Sequence, residues 1–190
     1  MLEVYEKIYA LAKTYLHTRK NDIHVEISLD FATRLLEVEP GDPEVVIPAI
    51  ICHDVGWIEV PEDMQLKAFG PTFDPDLRRV HEVEGVRLAA GILDRVRYDP
   101  DKSAEILDII DGHDSRPHAI SDSDRIVKDA DKLFRFTATG LQIDSERFRV
   151  PWDAYLKWIA EQIDSWFLTE SGKQLARTEL INAARGEDRS

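Results

Sequence analysis

An all-α bundle of about eight helices is the fold this sequence predicts, and two observations carry it. Apolar residues recur at three- and four-residue steps, as in Ile23, Ile27, Phe31 and Leu35 or in Ile106, Ile109 and Ile110, whereas sustained strand-like alternation is absent. Prolines also stand where helices begin. In Asp42-Pro43, Asp99-Pro100 and Val150-Pro151 the proline falls near a first helical turn, where its missing N–H costs nothing. Asp42 and Asp99 can accept bonds from the free amides that follow.

Taken in order, the first helix is read over 3–18 and the second over 22–37, the latter carrying the stripe from Ile23 to Leu35. The third, 43–54, opens on Pro43 and runs through Ile50-Ile51-Cys52 to His53 and Asp54, with Gly56 suited to its end. Between Gly56 and Leu77 the periodicity fails and Pro61, Gly70, Pro71 and Pro75 crowd together. A loop over 57–76 is expected there. A loop of that length in a compact domain is usually functional, and directly after His53 and Asp54 it is expected to cover part of a site and influence substrate choice. Helices follow over 77–96, 100–112 and 122–138. The segment 151–168 holds three of the four tryptophans, Trp152, Trp158 and Trp166, with Tyr155, Phe167 and Leu168. That stripe reads as the face by which a terminal helix packs on the bundle, an oligomer contact or a lid over the substrate being the alternative. A last helix spans 170–184, and 185–190 reads as a disordered tail.

Composition narrows the function classes. With 190 residues, 43% apolar and 32% charged, one globular domain over 1–190 is expected. No apolar run approaches the roughly 18–20 residues needed to span a bilayer. The start Met1-Leu2-Glu3-Val4-Tyr5-Glu6 lacks a basic region followed by an apolar secretory stretch. A cytoplasmic protein without membrane contact is therefore expected. Cys52 is the single cysteine, which excludes an internal disulfide and reads as plain core. A net charge of −13 argues against a nucleic-acid polymer as partner.

Six residues, His24, His53, Asp54, His81, His113 and Asp131, read as one metal site dispersed over several helices. Neutral imidazole and carboxylate are borderline-to-hard donors suited to divalent iron, manganese, zinc, cobalt or magnesium, so the set points to hydrolytic or oxygen chemistry. A thiolate knuckle is excluded. The segment Ile50-Ile51-Cys52-His53-Asp54-Val55-Gly56, an apolar helix ending in His-Asp, resembles the signature of the HD-domain superfamily of metal-dependent phosphohydrolases. The resemblance runs from about Asn21 to Phe136. It includes Asp22-Ile23-His24-Val25-Glu26, His81-Glu82-Val83-Glu84-Gly85, Asp111-Gly112-His113-Asp114 and Val127-Lys128-Asp129-Ala130-Asp131-Lys132-Leu133.

This resemblance implies a single HD domain with its core over 21–136 and C-terminal helices over 151–184 packed on it. It implies that His24, His53, Asp54 and Asp131 hold one divalent ion, and that His81 and His113 add a second, bridged by Asp54. The ion is iron, manganese, cobalt, nickel, zinc or magnesium, and no organic cofactor is implied. Asp129 and Asp131 lie two positions apart on one helix and point about 200° apart, so both cannot face one ion. The superfamily pattern sets its last carboxylate directly before a basic or polar residue, which selects Asp131 and leaves Asp129 as a surface, capping or supporting group. Asp54, Lys132 and Asp114 are the residues expected to take part in catalysis, Lys132 as a contact for substrate phosphate. Asp114, Glu82 and Glu84 stand beside the histidines as groups to orient imidazoles or position water. The implied reaction cleaves a phosphate ester or anhydride of a small nucleotide-like or phosphorylated compound, for which bound metal supplies the positive charge that the chain lacks. Trp57 stands where many relatives carry lysine, histidine or aspartate, so no particular substrate carries over. The same ligand pattern occurs in a branch that uses mixed-valent di-iron to oxidise carbon–hydrogen bonds, which is the alternative. A non-catalytic metal-binding regulatory module is the third reading.

Overall fold

The computed structural model describes residues 2–65, 67 and 74–187, and among them it contains helices and no strand. The α-helices are α1 Glu3–Ala12, α2 Asn21–Leu36, α3 Pro43–Cys52, α4 Glu62–Gln65, α5 Pro75–Arg95, α6 Pro100–Ile110, α7 Asp122–Leu133, α8 Ala138–Phe148, α9 Trp152–Ala160, α10 Ile163–Trp166 and α11 Glu170–Glu187. The all-α expectation holds, with short helices adding to the count.

Helix α3 is the axis of the molecule. Every residue from Val45 to Cys52 is buried, as befits a helix that is apolar all round, and α1, α2, α6 and α7 pack about it. Pro48 sits inside this helix and lacks the N–H that the Glu44 carbonyl would receive. Tyr98 Oη donates to that carbonyl instead, at 2.6 Å. The Asp-Pro starts behave as expected: the Asp42 carboxylate accepts from Glu44 N at 2.8 Å, and that of Asp99 accepts from Asp101 N and Lys102 N. A third such start, Asp74-Pro75, opens α5 two residues before the expected position. Cys52 is fully buried without a disulfide, and burial pushes its thiol up to about 12.

Several boundaries differ from the sequence reading. The first helix ends at Ala12, not near 18, in a 3-10 turn over Lys13–Tyr15, and Arg19 and Lys20 then take left-handed backbone at φ 58° to turn the chain into α2. The expected helix over 122–138 stops at Leu133. A 3-10 turn, Phe134–Phe136, follows, and Thr137 caps α8 by accepting from Gly140 N at 3.0 Å. Helix α8 was absent from the reading because its buried face mixes Gly140, Asp144 and Ser145 with Leu141 and Ile143, which blurs the apolar period. The 151–168 helix is broken into α9 and α10. Of its aromatic stripe, Tyr155 and Phe167 enter the core and Trp152 and Trp166 pack partly buried against it, whereas Trp158 is 46% exposed and Leu168 38%. Helix α11 continues past Arg185 to Glu187, where a disordered tail was expected; 188–190 lie outside the described residues.

The expected 57–76 loop is partly ordered structure. A 3-10 turn over Val55–Glu59 follows α3, then α4, while 66 and 68–73 lie outside the described residues. Gly56 makes this turn possible. A Cβ there would collide with the His81 carbonyl oxygen and the Gly85 backbone, so only glycine lets the turn lie directly on α5. No helix among the described residues is long and apolar enough to cross a membrane.

Candidate metal centre

Two helix ends build the floor of the centre in the same way. His53 stands just past α3 and His113 just past α6, and each directs its Nδ1 at the carbonyl three residues back, Ile50 O at 2.8 Å and Ile110 O at 2.9 Å. Those carbonyls are among the unpaired ones at a helix C-terminus, so Nδ1 carries the proton and the neutral ring presents Nε2 as a lone pair. Each histidine is followed by an aspartate, Asp54 and Asp114. His24 on α2, His81 on α5 and Asp131 on α7 close in from three further helices.

The donor atoms converge. His24 Nε2 lies 2.9 Å from His53 Nε2, 3.1 Å from Asp131 Oδ1 and 3.5 Å from Asp54 Oδ2. His53 Nε2 is 3.5 Å from Asp131 Oδ1 and 3.7 Å from Asp54 Oδ1, which is itself 3.7 Å from His113 Nε2. On the far side His81 Nε2 is 3.2 Å from His113 Nε2 and 3.5 Å from Asp114 Oδ2. Three triplets result, each with all ligand atoms within 4.8 Å: His24, His53 and Asp131; His53, Asp54 and His113; and His81, His113 and Asp114. Atoms bound to one ion at about 2.1 Å stand roughly 3.0–3.4 Å apart. The donor separations, 2.9–3.7 Å, bracket that spacing. Lone pairs of neutral imidazoles directed at one another and at carboxylates are repulsive unless a cation lies among them, so the donor set suits divalent metal.

The electrostatics describe the same crowding. Burial works against charge on Asp54, but His53, His113 and His24 outweigh it and hold the carboxyl well below the usual range. Asp131 is lowered likewise, with His24 and His53 overcoming burial. Burial opposes a proton on His113 too, yet Asp54 and Asp114 push it up to about 10. His81 goes the other way, to about 4, through burial and the neighbouring His113. Its buried Nδ1 has no hydrogen-bond partner.

Surrounding groups hold the donors in place. Trp57 Nε1 donates to Asp54 Oδ1 at 2.9 Å while its ring stacks on His81, centroids 4.0 Å apart and planes 11° from parallel. Glu82 is fully buried, and its carboxylate accepts from the amides of Asp114 and Ser115 and from Ser115 Oγ; it fixes the turn after His113 rather than an imidazole. Lys128 was singled out by nothing in the sequence reading. It is 2% exposed, and its Nζ donates to Gly112 O, His113 O and Arg116 O at 2.6–3.1 Å, gathering the same turn from the opposite side. A lysine four residues after Asp124, amid Ile126, Val127 and Ala130, was the available signal.

The two aspartates of α7 part company. Asp131 faces His24 and His53, whereas the Asp129 carboxylate accepts from Leu168 N at 2.8 Å, Thr169 N at 2.9 Å and Thr169 Oγ1 at 2.7 Å, tying α7 to the start of α11. A cleft opens over the cluster, with His24, Asp54, Asp114 and Asp131 in its lining. Lys132 is not among the lining residues. The cations there are Arg19, Arg135 and Arg147, none of which the sequence reading named.

Neither the curated proteins nor the solved structures contain a significant match to this chain. The family model of the HD domain matches residues 21–135, from three residues before His24 through Asp131. With more than half of its length matched and a His/Asp cluster assembled from the ends and faces of five helices, the chain belongs to the HD-domain family, a superfamily composed mostly of metal-dependent phosphohydrolases.

Proposed function

We propose that this protein is a metal-dependent phosphohydrolase that cleaves a phosphate ester or anhydride of a small, nucleotide-like or otherwise phosphorylated compound. The observation behind this reading is that three donor triplets interlock through His53 and His113 beneath a cleft bordered by arginine. In this reading His24, His53, Asp54 and Asp131 hold one divalent ion, and His81 and His113 with Asp54 hold a second, Asp114 standing beside them. When bound, such ions polarise a phosphoryl oxygen and make water a nucleophile at neutral pH. The rest of the work falls to the chain. The Nδ1 bonds of His53 and His113 keep Nε2 turned inward, Trp57 fixes one oxygen of Asp54, and burial keeps bulk water from the donors. Asp114, its side chain 25% exposed and lining the cleft, is assigned the role of orienting the His81 imidazole or positioning water. Lys132, off the cleft lining, is assigned no substrate contact.

The test is phosphate release from a panel of phosphorylated metabolites by chelator-stripped protein reloaded with manganese, cobalt, nickel or iron, under anaerobic conditions. Activity should return with metal and be lost in Asp54→Ala. His81→Ala and His113→Ala should each lower bound metal from two ions towards one. Full activity in His53→Ala or Asp54→Ala would overturn the reading. A requirement for oxygen and iron without phosphate release would decide for the oxidative branch.

A further inference from the structure

Three guanidiniums converge on the cleft above the His/Asp cluster, and they come from separate parts of the chain: Arg19 from the turn before α2, Arg135 from the 3-10 turn after α7, and Arg147 from α8. They are built into place. Asp144, fully buried, accepts from Arg135 Nη1 at 2.7 Å and Tyr155 Oη at 2.9 Å on one oxygen, and from Arg147 Nη1 at 2.9 Å on the other. Arg147 Nη2 donates to Arg19 O at 2.7 Å, bracing the left-handed backbone of Arg19. The Arg19 guanidinium lies 4.2 Å over the Trp57 ring, the same ring that stacks on His81 and donates to Asp54.

Placing three cations side by side is costly without an anion to receive them. Burial and the nearby Arg147 hold Arg19 down to about 10, well below an ordinary guanidinium. With two divalent ions bound and the histidines neutral, the ions and the three arginines against Asp54, Asp114, Asp131 and Asp144 leave three positive charges in a partly buried cleft. On a chain of net charge −13 this is a cationic exception. A phosphate monoester dianion together with one hydroxide would neutralise it. An internal diester brings only a single negative charge.

We propose that Arg19, Arg135 and Arg147 form the seat for a terminal phosphoryl dianion, with Asp144 as the positioning residue that aims Arg135 and Arg147. The inference rests on the hydrolase reading for the bound ions, and it adds that the substrate is a phosphomonoester or terminal phosphate recognised through arginine forks.

The test is calorimetric titration of inorganic phosphate, and separately of dimethyl phosphate, into the manganese-loaded full chain, with bound metal measured in every sample. Wild-type protein should bind phosphate at one site and prefer it to dimethyl phosphate by at least tenfold. Arg147→Gln and Arg135→Gln should weaken phosphate binding tenfold or more with metal content unchanged. Arg19→Gln, which leaves Asp144 both of its arginines, should do the same and serves if either of the other two variants fails to fold. Asp144→Asn should collapse the preference for phosphate over the diester; a merely structural role would lower Tm and leave that preference intact. Wild-type protein that binds no phosphate, or arginine variants that bind it as tightly as wild type, would overturn the seat while leaving metal-dependent hydrolysis untouched. Arginine-dependent phosphate binding in a protein that hydrolyses no ester would keep the seat and remove the hydrolase reading.

Discussion

Individual side chains around this centre divide into those that meet the donors and those that hold them, and neighbouring positions on α7 separate the two. Asp131→Asn should abolish tight metal binding with little change in the Tm of the metal-free protein, because a neutral amide is a poor ligand and the side chain is not a structural tie. Asp129→Asn should keep the metal but weaken the clasp on Leu168 and Thr169, costing about 1–2 kcal/mol. That corresponds to a Tm lower by about 2–8 °C at this chain length. Metal analysis and calorimetry of the two variants check the ranking. A second expectation concerns protons. His113, pushed up to about 10 by Asp54 and Asp114 against burial, is protonated at neutral pH when no ion is present, and His81, lowered to about 4, is already neutral. Ligation requires neutral rings, and His53 is raised too, by Asp54 and Asp131 against burial, so metal uptake should expel at least one proton and affinity should fall as pH is lowered. Titration of metal in buffers of different ionisation enthalpy reads this directly; heats independent of buffer would contradict it.

At the scale of elements, the turn from Gly112 to Arg116 is the piece most dependent on distant support. Lys128 on α7 and Glu82 on α5 hold it from two sides. Lys128→Met should cost about 3 kcal/mol, since it leaves the Gly112, His113 and Arg116 carbonyls without their donor and Asp124 with Arg116 as its cation. Because the turn carries His113 and Asp114, that variant should lose the ion on the His81 side first and keep the one at His24 and Asp131; metal content against chelator concentration measures the order of loss. Much of this architecture was legible beforehand. Asp42-Pro43 and Asp99-Pro100 marked helix starts through local chemistry, and the spacing of His24, His53, His81, His113 and Asp131 survived because each donor sits on or beside a long helix. What was not legible depended on long-range contacts. Helix α8 buries a carboxylate among its apolar residues, and that carboxylate is explained by Arg135, Arg147 and Tyr155. Lys128 resembles any solvated lysine until the 112–116 turn is folded over it. For Lys132 the resemblance implies a contact with substrate phosphate, and the cleft lining does not include it.

For the whole molecule, bound metal is a cross-link among α2, α3, α5, α6 and α7, the helices that bring the donors together. Free metal at a thousandfold its Kd stabilises the folded state by about 4 kcal/mol. Tm should therefore rise by about 8–16 °C on loading at this chain length. Helical circular dichroism at room temperature should hardly change, because the core about α3 does not include the donors. Scanning calorimetry with metal and with chelator checks this; equal Tm values would mean that the donors do not coordinate.

The clasp between Asp129 and Thr169 also has a meaning in time. The two residues stand 40 positions apart. On a ribosome adding about 5–20 residues per second, Asp129 leaves the peptidyl-transferase centre about 2–8 s before its partner is made. During that interval all the donor residues exist, but the helix bearing Asp131 has no anchor to α11. Anchoring of α7 thus waits until Leu168 and Thr169 are made, and in a nascent chain arrested before Leu168 α7 should be cleaved by protease more readily than in the released protein.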